Sequence, residues 1–528
     1  MQRSISPIGL MLTSISAVLG SGWLFSAYYT SRLAGPASIL SWIISGIFMI
    51  IIAFVFAEIC AMIPVSGSST RLPQYTHGTV VSFLFSWMIW LSYVALTSTE
   101  VQGIIQYMRF YFPDITSSAG RLTLEGYFTA TGIMLAVSAI NTYSLRWLIQ
   151  CNNVLTIIKV LVPIGAALII LFHFFSLHHT LHPAESAFMP KGMHGVFAAM
   201  TTGGIVFAYN GFKQAAELAG EAKNPALSVP LAVVGSVVVC AMIFILIQTA
   251  FLTSLTPHNL LHGWGQLALG ENNSPFASIL TQDHLSWFIP ALYVGAIISP
   301  LAAGLMYCAS ASRSLYGMSK NGYIPKFFQH ISHYGNPIYT IILNFFACMF
   351  MFAPLPGWSQ MAAFLSSLIV ITYAIGPVCL LALRKQLPST HRPIKLPLVN
   401  LWALIAFYIC TLLAYWSGWN TIYKLDISML IGVVVLGIYR IANHKKQSLN
   451  LNWAQAYWVW PYFIGLSLFS YLGTYNGIHY LSSRTELIGL FLLCIFTLAL
   501  STRCALPAAE TKVYIDALHL EADDKGSR

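Results

Sequence analysis

The chain has 528 residues, 57% of them hydrophobic and only 8% charged, where an average soluble domain carries about 25% charged residues. That balance excludes a globular protein with a membrane anchor and leaves a polytopic membrane protein. The formal net charge of +10 does not indicate nucleic acid, because the basic residues lie singly in short loops with no stripe to track phosphates.

A span needs about 20 apolar residues. In chain order, such segments fall near 8–33, 37–63, 80–112, 123–141, 147–174, 195–219, 228–253, 287–317, 338–355, 360–383, 399–418, 425–441, 456–474 and 485–502, which predicts fourteen helices. The first run continues past any cleavage site and reads as a span, not a cleaved signal. With the N-terminus in the cytoplasm, nineteen of the 26 Lys and Arg residues fall on the cytoplasmic side. Six fall outside and Lys159 lies within a span, so the bias predicts both termini in the cytoplasm. The short loops favour a plasma membrane of bacterial type. The polar tail from about Arg503 carries no motif and is expected to lack order. The nine cysteines are scattered, with no CxxC, and are expected to pack as small apolar side chains.

Two spans carry punctuation. Gly20-Ser21-Gly22 interrupts the first, and Tyr209-Asn210-Gly211 interrupts the sixth, within FAYNGFKQAAELAGEAKNP (Phe207 to Pro225). An unpaired backbone group in lipid costs several kcal/mol, so a broken helix belongs inside protein or beside a water-filled cavity. Glycine in span 1 taken alone would be a helix-packing feature. Paired with a second break five spans later, it indicates an inverted repeat with a substrate site at the breaks.

Four stretches resemble the amino acid–polyamine–organocation permeases: GSGWLF (Gly20 to Phe25) with AGP after it, AEICAMIPVSGSS (Ala57 to Ser69) with THG, the span-6 stretch, and ASRSLYGMSKNGYIPKFF (Ala311 to Phe328) with NPIYT. LRKQLPSTHRPIKLPL (Leu383 to Leu398) is similar to the basic loop after that family's tenth helix. The resemblance covers roughly residues 5–420. It implies an all-α membrane fold of LeuT type, a five-plus-five inverted repeat with broken helices 1 and 6, and alternating access for amino acids or related amines. The core would be residues 1–390, with repeats at about 8–174 and 195–383. Residues 399–502 would add further helices and 503–528 a cytoplasmic tail. No cofactor is implied.

The backbone chemistry agrees with that resemblance. N–H groups around Ser21, Gly22 and Trp23 open the second half of span 1, a positive helix end that suits a carboxylate. Gly20 and Gly22 leave room for backbone to approach a ligand. Carbonyls around Phe207, Ala208 and Tyr209, just before Gly211, close the first half of span 6 and suit an ammonium. Trp23 and Phe207 either line the site or pack against a neighbour.

Lys159 sits about a dozen residues into span 5. An ionisable group there costs about 2.5–3.5 kcal/mol on insertion scales and marks function by default. A lysine in such a place can gain and lose a proton, and proton-coupled members of the family carry a span-5 lysine where sodium-coupled relatives hold an ion. Glu58, near the end of span 2, matches a glutamate common in the family, which implies a structural or gating role. Glu100, within span 3, is expected to pair with a cation or relay protons. After Gly211-Phe212 many relatives carry an acidic residue, whereas this chain has Lys213. Lys213 either faces substrate, disfavouring cationic amino acids, or points into water and pairs with Glu217 at i+4; the second is the plainer expectation. His173, His178, His179 and His182 lack a fixed ligand spacing, so no metal is expected. All six aspartates read as loop or tail residues, which argues against a membrane-embedded enzyme. The reading is a proton-coupled amino acid permease. A sodium symporter, an amino acid/amine antiporter and a non-transporting nutrient sensor stay open.

Overall fold

The computed structural model describes residues 5–65, 67–117, 120–143, 145–176, 188–269, 274–355, 357–443 and 451–526. The described residues form α-helices with short 3-10 turns and three isolated bridges, and no β-strand is found among them. Every one of the fourteen apolar segments is helical. Ser6 caps α1 (Pro7–Val18), its hydroxyl accepting from Gly9 N–H at 3.1 Å, and proline at the first helical position costs no hydrogen bond. α2 (Gly22–Ala34) completes the first span, and α3 (Ser38–Met62) runs back. α4 (Ser68–Met108), α5 (Leu124–Ile140) and α6 (Leu145–Ser176) complete the first half.

The sixth span is three short helices, α7 (Gly192–Thr201), α8 (Ile205–Ala208) and α9 (Lys213–Glu217). α10 (Pro225–Thr253) follows, then the short α11 (Pro275–Gln282) and the long α12 (Ile289–Lys320). α13 (Ile338–Met351) and α14 (Trp358–Gln386) complete the second half. Beyond them lie α15 (Val399–Trp416), α16 (Trp419–Asn443), α17 (Val459–Leu472) and α18 (Ser483–Cys504). Among the described residues nine helical stretches are long and apolar enough to cross a membrane, with Gly22–Met62 as one of them.

α4 and α14 are buried on nearly every side, whereas α6, α16 and α18 leave much of their surface outward. The outward residues are apolar, among them Leu161, Phe172, Ile431 and Leu492, which suits hydrocarbon. α4 packs along α12 and α14, α3 along α10, and α1 against α10 and α6. This places the broken spans in the interior, where irregular backbone is tolerated.

Three expectations change. The tail is helical, α19 (Ala508–Gly526), because it has a surface to pack on. The Thr511 hydroxyl donates to the Tyr75 carbonyl at 2.9 Å, Tyr514 lies 5.7 Å from the Tyr75 ring, and Leu506 N–H donates to the Thr76 carbonyl at 2.8 Å. Asp426 is a helical residue of α16, not a loop residue, and its carboxylate accepts from Ser467 of α17 at 2.6 Å. Span 6 breaks twice: before Tyr209 there is an interruption at Thr202 to Gly204, with Gly204 left-handed at φ 88°. A glycine pair is a common cause of a sharp helix break, and Gly203-Gly204 was the available signal.

Candidate functional site

The two predicted breaks meet. A Cβ on Gly22 would stand 2.8 Å from the Ala208 Cβ, and one on Gly211 would stand 2.5 Å from the Val18 nitrogen. Gly211 has φ 129°, a conformation that side chains rarely adopt, so that position requires glycine on two counts.

Charges of opposite sign stand at the helix ends of the first break. α1 stops at Val18, and its last carbonyls need partners. The Lys159 ammonium donates to the Ser16 carbonyl at 2.5 Å and to the Ser16 hydroxyl at 3.1 Å. The Tyr307 hydroxyl donates to the Ala17 carbonyl at 2.5 Å. Lys159 is fully buried, so it does not reach out to an interface. Where α2 begins, Ser21 N–H donates to Glu100 Oε2 at 2.6 Å. The N–H that the sequence reading offers to a substrate carboxylate is therefore held by a carboxylate of the protein. Both arrangements obey the helix dipole, with the cation at a C-terminal end and the anion at an N-terminal end. Gly20 makes the second one possible, since a Cβ there would stand 2.2 Å from Glu100 Oε1.

The aromatic wall includes residues the sequence did not flag. Trp358, the first residue of α14, donates from its indole N–H to the Ser21 hydroxyl at 2.7 Å and stands edge-on to Phe207 at 5.4 Å. No local pattern marks Trp358, because its hydrogen-bond partner Ser21 is 337 residues away in the chain. Trp23 is buried against Phe276 at 6.1 Å, and its indole N–H has no hydrogen-bond partner. The Tyr209 side chain turns away from the break, donating to the Trp42 carbonyl at 3.1 Å. The Asn210 amide lies between two tyrosines: Tyr373 donates to its Oδ1 at 2.7 Å, and its Nδ2 donates to Tyr307 at 3.3 Å.

Lys213 departs from the plainer expectation. It is 5% exposed, and its ammonium stands 5.6 Å from the Tyr373 ring centroid and 5.9 Å from that of Phe56. Among the described residues no carboxylate lies within ion-pair distance of it, Glu217 included. The reason is that α9 is a single turn held against its neighbours. Ala215 N–H donates to the Ser14 hydroxyl at 3.1 Å, and Gly67 N–H donates to the Glu217 carbonyl at 3.0 Å. The turn thereby presents Lys213 to the interior. Beside it lies a narrow crevice, part of it open to solvent, whose walls include Tyr93, Asn210, Gln214 and Tyr373. Trp90 donates to Asn344 at 2.8 Å, and Tyr293 packs among Tyr107, Phe110 and Tyr111.

Glu58 lies outside this cluster. Its carboxylate contacts Arg384 Nε at 2.7 Å, without hydrogen-bond alignment, and Arg392 Nε at 3.4 Å. It also accepts from Arg384 Nη2 at 2.9 Å and from Leu396 N–H at 2.8 Å. It fixes the basic loop after α14 to the end of α3. Removing one partner of a buried pair costs about 3–5 kcal/mol, so Glu58→Gln is expected to lower the melting temperature in detergent markedly; an unchanged melt would contradict this role. His173 lies on α6, while His178, His179 and His182 fall outside the described residues.

A helical membrane protein, with two interrupted spans in contact and buried charges at the helix ends of the first break, is built as a transporter. The sequence model described as "Amino acid permease" matches residues 5–434, and the chain belongs to that family, as its motifs imply. It is 32% identical over 495 residues to the glutamate/serine transporter AimA of Bacillus subtilis (strain 168), covering 91% of this chain and 90% of that one. It is 29% identical over 492 residues to the aspartate-proton symporter of the same organism, covering 92% and 94%. The branched-chain amino acid permease BcaP, also of that organism, is 24% identical over 461 residues, covering 85% of this chain and 95% of that one. This is a multi-pass amino acid transporter and not an enzyme.

Proposed function

We propose that the chain carries amino acids inward across the plasma membrane together with protons, by alternating access around the two contacting breaks. The observation that carries this reading is the pair of buried charges flanking the first break, Lys159 on the end of α1 and Glu100 on the start of α2. A substrate carboxylate is suited to the positive end of α2, around Ser21, Gly22 and Trp23, and must compete there with Glu100. A proton on Glu100 removes that competitor. The substrate ammonium is suited to the carbonyls of Phe207, Ala208 and Tyr209, with the backbone at Gly20 and Gly211 completing the approach. Lys159, already on the Ser16 carbonyl, occupies the place where a metal cation would neutralise the end of α1, which favours protons over sodium.

In this reading the core is residues 1–390, an inverted repeat of about 8–174 and 195–383. Spans within 399–502 are additional, and residues 503–528 form a cytoplasmic tail. Both termini face the cytoplasm of a bacterial inner membrane, as the Lys and Arg distribution supports. The relatives whose names carry glutamate, serine, aspartate and proton support a small polar or acidic substrate. Glu58 acts as a structural fastener, and Glu217 holds α9 through its backbone carbonyl.

The test is radiolabelled uptake of pooled amino acids into proteoliposomes in sodium-free buffer. An inward proton gradient is expected to stimulate accumulation severalfold. Uptake that requires sodium, or that requires internal amino acid and ignores the gradient, would replace this reading by symport with sodium or by exchange.

A further inference from the structure

Lys213 makes no contact ion pair: the buried Glu217 carboxylate, four residues on, attracts its ammonium from beyond ion-pair distance. A buried ammonium with no carboxylate in contact is costly, and the distant Glu217 with the faces of Phe56 and Tyr373 offsets only part of that cost. Its surroundings are polar where they face the crevice: the Asn210 amide is held by two tyrosines, and Gln214 Oε1 accepts from the Ser310 hydroxyl at 3.2 Å. The Tyr93 hydroxyl is an unanswered donor. Tyr93 is 6% exposed, lines the same crevice and has no hydrogen-bond partner. A cation without a contact ion pair and a hydroxyl without a hydrogen-bond partner, both facing one crevice beside the breaks, suit an anionic ligand group. Gly211, two residues before Lys213, packs directly on the end of α1, so this crevice adjoins the backbone groups proposed for the α-carboxylate and α-ammonium.

We propose that Lys213, with Tyr93, binds a second carboxylate on the substrate, so that the preferred cargo is an acidic amino acid. This rests on the transport reading above. In the described conformation the crevice is narrow, and the walls contributed by α4, α9 and α14 must part to admit the side chain, as alternating access requires.

The experiment compares wild type with Lys213→Met by thermal stabilisation of the purified full chain and by proteoliposome uptake, using L-glutamate, L-aspartate, L-serine and L-lysine. Wild type is expected to be stabilised by glutamate or aspartate, and not by lysine. The variant is expected to lose glutamate-over-serine preference by at least about tenfold in kcat/KM, chiefly through KM, the scale of a lost charged hydrogen bond. Methionine removes a buried charge that makes no contact ion pair, so the unliganded variant is expected to melt close to wild type. A large drop in its melt would identify Lys213 as a structural cation and overturn the proposal, as would equal losses for serine and glutamate. Uptake of serine by wild type without response to either acid would overturn this proposal and leave the transport reading standing. Stabilisation by glutamate, lost in the variant, with no uptake of any amino acid would do the reverse.

Discussion

Lys159→Ala is expected to abolish proton-driven uptake while leaving a folded protein that still binds substrate. The ammonium is fully buried and bonds the Ser16 carbonyl at the end of α1, so it neutralises the negative end of that half-helix directly beside the break. If the same lysine releases and regains a proton during the cycle, the end of α1 changes its charge environment each time, and α1 gains a reason to move. Alanine removes the charge in every state. The carbonyl is left without that donor, a loss of about 1–3 kcal/mol for a buried group, which a protein of this size tolerates. Lys159→Arg separates coupling from structure. Arginine restores the cation but stays protonated at all working pH values. It is therefore expected to leave uptake uncoupled from the gradient. An arginine variant with wild-type gradient stimulation would show that Lys159 is a fixed structural cation.

Gly211→Ala is the second large effect, and it acts on the fold itself. The residue has φ 129°, for which strain costs about 1–3 kcal/mol. Its Cβ would lie 2.5 Å from the Val18 nitrogen and 2.6 Å from the Ala17 carbonyl carbon. Those are backbone atoms, which cannot rotate aside, and overpacking adds about 1–3 kcal/mol. The variant is expected to express poorly, melt well below wild type in detergent, and show no uptake. Gly20→Ala makes the useful comparison. Its Cβ meets the end of the Glu100 side chain, which can move, so it is expected to fold but to push the carboxylate off Ser21. A Gly211→Ala protein that melts with wild type would mean that the two breaks do not pack as described.

The sequence exposed these breaks because an apolar run makes polar and glycine punctuation conspicuous. Gly20-Ser21-Gly22 and Tyr209-Asn210-Gly211 stand out for that reason, and Lys159 stands out because a charge inside a span has few bland explanations. The additional break at Thr202 to Gly204 was as legible in principle, but one glycine pair in a membrane helix is ordinary. What lay beyond the sequence is partnership over distance. Glu100 meets Ser21 across 79 residues and Trp358 meets it across 337, and no local pattern reports either. Lys213 was harder still, since i+4 spacing to Glu217 suggests a pair that the single turn of α9 does not make. The tail illustrates the same limit: α19 is polar on its own, and its order comes from the surface offered by Tyr75 and Thr76.

Substrate and proton are proposed to move together through this site, and a pH-sensitive dye enclosed in sodium-free proteoliposomes reports that coupling when external L-glutamate or L-serine is added. The lumen is expected to acidify only when a transported amino acid is added, in proportion to its uptake, and Lys159→Ala liposomes are expected not to respond. Amino acid accumulation with an unchanged luminal pH would contradict that coupling.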